Sequence, residues 1–510
     1  MEPCEDRISN LPDDILCHIL SFNPTKNAVT TSILSKRWTH LWRCVPILDF
    51  TDIKLRDCES ILLFNQFVDY FMLSREATGN HSIDSFIVDV EYAASRNHVT
   101  SLSIPNLAKW VNLVVQRKVK NLHLLLNLLN DPIPPGFLLP KLPNTIFSCK
   151  TLVTLRLSWF HVKGFSFSSV GFGFPLLKTL HLDRVMFVDE REILLLLDGC
   201  PVLQDFKSSD VYTSNVVTEE SINQVFHNLS LSKLIRADII DVNCDIPMKA
   251  LFNSEFLRIQ LWEAYTPYDL PTFNNLTHLV INYYLDMFIE VLHHCPKLQI
   301  LELYQKTQVD WDEENTEGGK EQENWVDPKS TPQFLSLYLR TCTIRDFAFV
   351  DLQHDLMLAR YILNNARVLQ TMTIWSDKEQ PQIEKELSLI PMENEVMYGC
   401  ALLIMLSAPT GKTVGLVNGS VYGWGIMDVG DNIELVNEIA NADFSFRKRR
   451  SSSTMEVKVG GHIIPQVTPF KYFGFIVQND IEIVAVKNQR ENQVSVSEMR
   501  MLRWMSGKTK

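Results

Sequence analysis

The sequence predicts an α/β protein: a small N-terminal helical module, a solenoid of short-strand repeats behind it, and an irregular, partly disordered C-terminal tail. Three observations carry this. Residues Ile8–Pro46 crowd two apolar stripes and two tryptophans into fewer than fifty positions. From residue 119 a Leu-x-x-Leu-x-Leu strand recurs at spacings such as 25, 26 and 22 residues. Past about residue 395 the recurrence stops.

A chain of 510 residues, 46% hydrophobic and 21% charged, has the composition of a folded soluble protein. Its net charge of -12 disfavours the clustered Lys and Arg of a phosphate-binding surface, so no nucleic-acid partner is expected. The opening MEPCEDRISN lacks the basic and apolar regions of a signal peptide. Apolar runs such as Ile193–Leu197 and Ala401–Leu406 are far shorter than the roughly 20 residues of a membrane span, so no membrane partner is expected. Ten cysteines stand singly, with no C-x-x-C pair. That pattern suits reduced, mostly buried thiols in the cytoplasm or nucleus, and neither a metal site nor a cofactor is expected.

Taken in order, the module begins at Pro12, a residue favoured at the first helical position because its missing N–H would be unpaired there. Asp13 and Asp14 complement the helix dipole in the first turn. Ile15, Leu16, Ile19 and Leu20 form one apolar stripe, and Asn23-Pro24 ends the helix. A second amphipathic segment is predicted from about Lys26 through Val29, Ile33 and Leu34 to Trp38, Leu41 and Trp42. So short a unit cannot bury this much apolar surface internally, so part of it should face a partner.

The runs Leu11-Pro12-x-x-Ile15-Leu16-x-x-Ile19-Leu20 and Ser32-Ile33-Leu34-Ser35-Lys36-Arg37-Trp38-x-x-Leu41-Trp42 resemble the F-box of plant F-box/leucine-rich-repeat proteins. Asn23 stands where that family usually has an apolar residue. The resemblance implies docking on a Skp-type adaptor, and through it on cullin and RING subunits of a ubiquitin ligase. It nominates Leu11, Pro12, Ile15, Leu16, Ile19, Leu20, Leu34, Trp38, Leu41 and Trp42, divided between adaptor contact and internal packing.

Residues 51–118 are transitional, with a helix expected over Phe64–Met72, a strand over Ile83–Val90 and a helix over Ser101–Gln116. The repeats follow over 119–308. Leu152, Leu177 and Leu203 anchor early copies, and Phe256–Leu261, Leu276–Ile281 and Cys295–Leu303 are later ones. Apolar helices such as Glu192–Leu197 and Met287–His293 precede several. A 20–29-residue period with this strand is that of a leucine-rich-repeat solenoid, whose units bury their apolar faces only by stacking. The stretch 208–255 matches poorly. Outward strand residues Arg156, His181, Arg258 and His278 are the candidate target contacts. His293-His294-Cys295 is better read as a repeat corner than as a metal site, because Cys-Pro-x-Leu recurs at Cys200 and Cys295.

Asp310–Asn324 is an acidic linker or loop. Residues 325–394 resemble the FBD domain that follows the repeats in plant F-box proteins; physically they are a further strand–helix–strand unit suited to capping a solenoid. In the tail, Ala408–Thr413 resembles a phosphate-binding loop but lacks its first glycine, Leu406 standing there. Phe444–Lys510 resembles two pieces of a plant non-LTR retrotransposon reverse transcriptase. Its chemistry needs paired carboxylates holding metals, and the chain's single Asp-Asp is Asp13-Asp14. Arg447–Arg450 is read as a solvated charge cluster.

The function expected is that of a non-enzymatic adaptor, the F-box holding the ligase and the repeats an unknown target protein. A ligand-sensing F-box receptor and a non-functional retroelement-fused chain are the alternatives.

Overall fold

The computed structural model describes residues 8, 10–76, 82–92, 104–128, 139–163, 173–215, 229–242, 246–260, 270–282, 290–304, 331–345, 352–376, 401–407, 413–419, 423–428, 445–448, 455–459 and 462–464. They fall into two compact units, one within Met1–Leu251 and one within Phe252–Asn479.

The first unit opens with α1 (Asp13–Leu20) and α2 (Thr25–Thr30). Pro12 and Pro24 each stand just before a helix. The second amphipathic segment is not one helix: α2 gives way to a 3₁₀ turn at Thr31–Ile33 and a second at Leu41–Cys44. The reason is local. Thr30 Oγ1 donates to the Asn27 carbonyl and Thr31 Oγ1 to that of Ala28, both at 2.7 Å. Such hydroxyls compete with the backbone for helical carbonyls.

Then come β1 (Ile47–Leu55), α3 (Cys58–Glu76), β2 (Ser85–Tyr92), α4 (Leu107–Gln116) and β3 (Asn121–Leu128). Next are β4 (Thr154–Ser158), β5 (Thr179–Asp183), β6 (Met186–Phe187), α5 (Glu190–Asp198), β7 (Asp205–Thr213) and β8 (Arg236–Val242). Strands β1, β2, β3, β4, β5, β7 and β8 lie side by side, parallel and in chain order, and β6 pairs with the end of β7. One face is a ladder of packed side chains: Leu48, Phe86, Leu122, Leu155, Leu180, Phe206 and Ala237 share one register position, all buried.

The ladder therefore includes β1 and β2, in the stretch the sequence left as transitional, and β8, in the poorly matched one. Their frame is the same as that of Leu152-x-x-Leu155-x-Leu157, but Val45-x-x-Leu48-x-Phe50, Ile83-x-x-Phe86-x-Val88 and Leu234-x-x-Ala237-x-Ile239 fill it with other apolar residues. Burial constrains volume and polarity at these positions, not leucine itself.

Left-handed backbone recurs just past β4 and β5 and at the matching position within β7. Trp159, Arg184 and Asp210 follow the register-matched Ser158, Asp183 and Ser209 and have φ of 66°, 49° and 49°. Arg184 lies 5.0 Å from the centre of the buried Trp159 ring and 3.6 Å from the Asp210 carboxylate. This contact chain holds successive kinks in line. Helix α4 ends similarly. Lys118, at φ 60°, donates its N–H to the Val115 carbonyl, and Val119 donates to that of Val114. This is the glycine-favouring C-terminal cap, with Val119 buried as its hydrophobic contact. Lys118→Gly should therefore stabilise the unit by about 0.5–1 kcal/mol, measured as a raised urea midpoint.

The second unit contains β9 (Phe256–Ile259), β10 (His278–Asn282), β11 (Ile300–Tyr304), α6 (Gln333–Leu337), β12 (Thr341–Ile344), α7 (Leu352–Asn365) and β13 (Thr371–Ser376). Its strands are again parallel and in order, with Leu257, Leu279, Leu301, Cys342 and Met372 in one buried row. The unit resembling an FBD thus supplies two more strands of the same kind. The tail is more regular than expected where it is described. Strand β14 (Ala401–Ser407) pairs parallel with β13, and β15 (Thr413–Gly419) and β16 (Gly423–Asp428) follow antiparallel. Strands β17 (Ser445–Lys448), β18 (Met455–Val459) and β19 (His462–Ile464) form a separate antiparallel sheet. A short apolar run such as ALLIMLS has the length of a strand rather than of a helix. Residues 310–324, 408–412 and 449–450 lie outside the described residues. Ser407 and Thr413 on either side of 408–412 pair antiparallel, whereas a phosphate-binding loop leads into a helix.

Candidate binding surfaces

Of the ten apolar residues singled out in the N-terminal module, the structure buries Leu16, Leu20, Trp38, Leu41 and Trp42. Ile15, Ile19, Leu34 and Pro12 are exposed and Leu11 is half-buried. Ile15 and Ile19 are 46% and 40% accessible, and Phe22, at i+7 from Ile15 just past α1, is 76% accessible. These three lie on one side of the helix, opposite the buried Leu16 and Leu20. Ile33 and Leu34 on the following 3₁₀ turn are 74% and 65% accessible. Phe22, Ile33 and the exposed Ile8 were not among the ten. The i, i+4, i+7 spacing of Ile15, Ile19 and Phe22 was the signal for the first.

The buried side holds the module together and fixes it to the first strands. Cys17 Sγ donates to the Leu41 carbonyl at 3.4 Å, and burial pushes its thiol up to about 11. Arg37 reaches back to α1: its Nε and Nη2 bond Asp13 Oδ1 at 2.9 and 2.6 Å, and Nη2 also donates to the Leu11 carbonyl. Arg37 and Asp13, which the sequence did not single out as a pair, thus join the two halves of the motif. Both are well exposed, so the ion pair sets geometry more than it adds stability. Asn23, in place of an apolar residue, donates its side-chain amide to the Ile19 carbonyl at 3.4 Å and so satisfies the end of α1. The Trp42 ring lies 5.1 Å from that of Phe71 on α3. Thr25 Oγ1 accepts the Asp49 N–H of β1 at 2.7 Å. Arg75, buried at the end of α3, donates to the Val45 and Ser82 carbonyls, and burial lowers its guanidinium to about 10.

The other surface is the polar face of the strands. In the first unit His123, Arg156, His181 and Lys207 occupy one register position on β3, β4, β5 and β7. His181 Nε2 lies 3.0 Å from Asp205 Oδ2, and this hydrogen bond holds the Asp205 carboxyl below the usual carboxylate range. Burial, then the charges of Arg156 and His181, push His123 down to about 4. The unfolded chain protonates this ring near 6.5 and the folded chain near 4, so folding loses stability as the pH falls between those values. In His123→Gln the urea midpoint should fall less steeply between pH 6.5 and 5 than in the parent chain.

In the second unit the candidates are less available. His278 Nε2 lies 3.0 Å from Glu302 Oε1, and its ring packs edge-on against Phe256 at 4.8 Å. Arg345 holds the other Glu302 oxygen at 3.3 Å. His278 and then Arg345 keep this carboxyl below its ordinary range. Arg258 shares a register row with Val280 and Glu302, whereas His278 sits in the neighbouring row with Ile300. The structure thus brings Arg156 and His181 together and separates them from Arg258 and His278 in sequence and in unit. At the repeat corners, Cys200 and Cys295 are buried and donate to the carbonyls four residues earlier, at 3.1 and 3.2 Å. Burial raises both thiols to about 12.

A helical module with an uncovered apolar side, followed by parallel-strand repeats with a polar face, defines a class of proteins built from a helical head and a repeat body. Comparison with known proteins makes the class particular. Residues 8–50 match the F-box domain, residues 107–244 the leucine-rich repeats of FBD-associated F-box protein At5g56370, and residues 327–374 the FBD. The chain is 28% identical over 416 residues to the F-box/FBD/LRR-repeat protein At4g00160 of Arabidopsis thaliana, covering 72% of this chain and 86% of that one. It is 27% identical over 484 residues to the F-box/FBD/LRR-repeat protein At1g78750, covering 78% and 96%. It is 35% identical over 208 residues to the F-box/LRR-repeat protein At4g14103, covering 40% and 50%. The chain is a plant-type F-box/leucine-rich-repeat/FBD protein.

Proposed function

We propose that this chain is the non-catalytic substrate-recognition subunit of an SCF-type cullin–RING ubiquitin ligase. The observation that carries the reading is the apolar side left open by Ile15, Ile19, Phe22, Ile33 and Leu34 on a module whose other apolar side is covered by the chain itself. Burying an aliphatic or Phe side chain in a partner stabilises by roughly 1.5–3 kcal/mol. A few such residues are enough to anchor a Skp-type adaptor. The polar strand faces then hold a target protein, through Arg156 and His181 on the adjoining middle strands β4 and β5 of the first unit or through Arg258 and His278 on β9 and β10 of the second. Ubiquitin transfer is performed by the recruited enzyme, and the adaptor acts by proximity, which is worth up to roughly 7–11 kcal/mol. The chain works in the cytoplasm or nucleus, a setting that suits the buried free thiols of Cys17, Cys149, Cys200, Cys295 and Cys342. Residues 395–510 are read as a retroelement-derived addition on the resemblance of Phe444–Lys510 to a reverse-transcriptase fragment.

Proximity labelling with the full chain, with and without proteasome blockade, tests the proposal. The expected result is labelling of Skp-type adaptor, cullin and RING subunits, together with proteins that accumulate under blockade. Labelling without any adaptor would sink it.

A further inference from the structure

Lys207 is exposed, and His123, Arg156 and His181 are half-exposed, in one row across four adjacent strands of a chain whose net charge is -12. Their partners are unequally distributed. His181 is tied to Asp205, and at the end of the row Arg236 engages Asp238 at 3.3 Å. Among the described residues Arg156 forms no ion pair. Its Nε and the Nε2 of His123 are buried without a hydrogen-bond partner, and so is Oδ1 of Asp205. Buried polar atoms of this kind are costly unless something satisfies them. The unmet groups are of both kinds: the Arg156 Nε donor, with a ring nitrogen of His123 beside it, and one carboxylate acceptor two strands from Arg156. A simple anion would satisfy the first and be repelled by the second. A peptide carrying an acidic side chain offers an anion for Arg156 and a backbone N–H for Asp205.

We infer that the His123–Arg156–His181–Lys207 row is a recognition site for an anionic peptide segment, with Arg156 as the charge anchor and Asp205 as acceptor for the peptide's backbone. The inference rests on the reading of this face as the target surface and names what that target presents. Arg156 is the apt residue because its planar fork matches carboxylate and phosphate oxygens two at a time. Carboxylate and phosphate share this chemistry, and the experiment separates them.

The test is fluorescence polarisation with the full chain and three labelled peptides of one sequence: one with central glutamates, one with phosphoserine in their place, one with glutamine. The two anionic peptides should bind more tightly than the neutral one, and Arg156→Gln should weaken them at least tenfold. Tighter binding of the phosphoserine peptide assigns phosphate as the recognised group, tighter binding of the glutamate peptide assigns carboxylate, and equal binding assigns the negative charge common to both. Lys207→Ala, on an exposed side chain, should weaken binding less and leave folding intact, and thermal unfolding of both variants checks this. Equal affinity for all three peptides, or a folded Arg156→Gln chain with unchanged affinity, would overturn the inference. Capture of a Skp-type adaptor is read on the same protein. Failure of the ligase reading then appears as lost capture, and failure of this one as lost charge dependence.

Discussion

Replacing Ile15 and Ile19 together with aspartate is expected to abolish capture of a Skp-type adaptor, with a loss of a hundredfold or more in affinity. Both side chains stand on the open side of α1, 46% and 40% accessible, away from the buried Leu16 and Leu20. In an interface each such anchor is typically worth 2 kcal/mol or more, and two charges there also have to be desolvated. The fold should hardly notice. Surface substitutions away from special features usually change stability by about 0.5 kcal/mol or less. Pull-down with purified adaptor measures the first effect and thermal unfolding the second. Undiminished capture by a folded double variant would move the docking surface elsewhere.

Trp42→Ala is expected to do the reverse. The motif nominates Trp42 as an adaptor contact or as packing, and the structure assigns it to packing. It is 4% accessible, its ring lies 5.1 Å from Phe71 on α3, and its indole N–H donates to the Thr39 carbonyl at 3.0 Å. Truncating a buried tryptophan costs about 3–5 kcal/mol, because the lost contacts are compounded by the cavity left behind. The loss should appear as an earlier first unfolding transition of the full chain. Adaptor capture should fall only as far as the module unfolds, and cooling should restore it. A variant that unfolds normally yet captures no adaptor would make Trp42 a contact residue instead.

The two variants mark where reading the sequence stops. The spacing of Ile15, Leu16, Ile19 and Leu20 says that they form an apolar stripe, and it is the same whether the stripe faces the core or a partner. Only the placement of Leu41 and Trp42 against α1 and α3 divides it. The repeat frame was legible wherever leucine fills it, from Leu152 to Leu303, and was missed where Val45, Ile83 or Ala237 does the same work. The second amphipathic segment departs from one continuous helix because side-chain hydroxyls at Thr30 and Thr31 take carbonyls that periodicity assigns to the backbone. The strand-face histidines were visible as polar residues on an outward face. Their inequality, one row unsatisfied around Arg156 and another tied up by Glu302, was not.

The amino-acid sequence by itself determined the order of parts: a helical head, a run of parallel strands, an FBD-like unit and a tail. Periodicity and turn residues are local, and each segment carries its own. What the tertiary structure alone decided is which side chains remain uncovered. That depends on register between strands tens of residues apart, where one row brings His123, Arg156, His181 and Lys207 side by side. A linear pattern fixes the face on which a side chain lies, but its neighbours on that face are set by how the strands are paired.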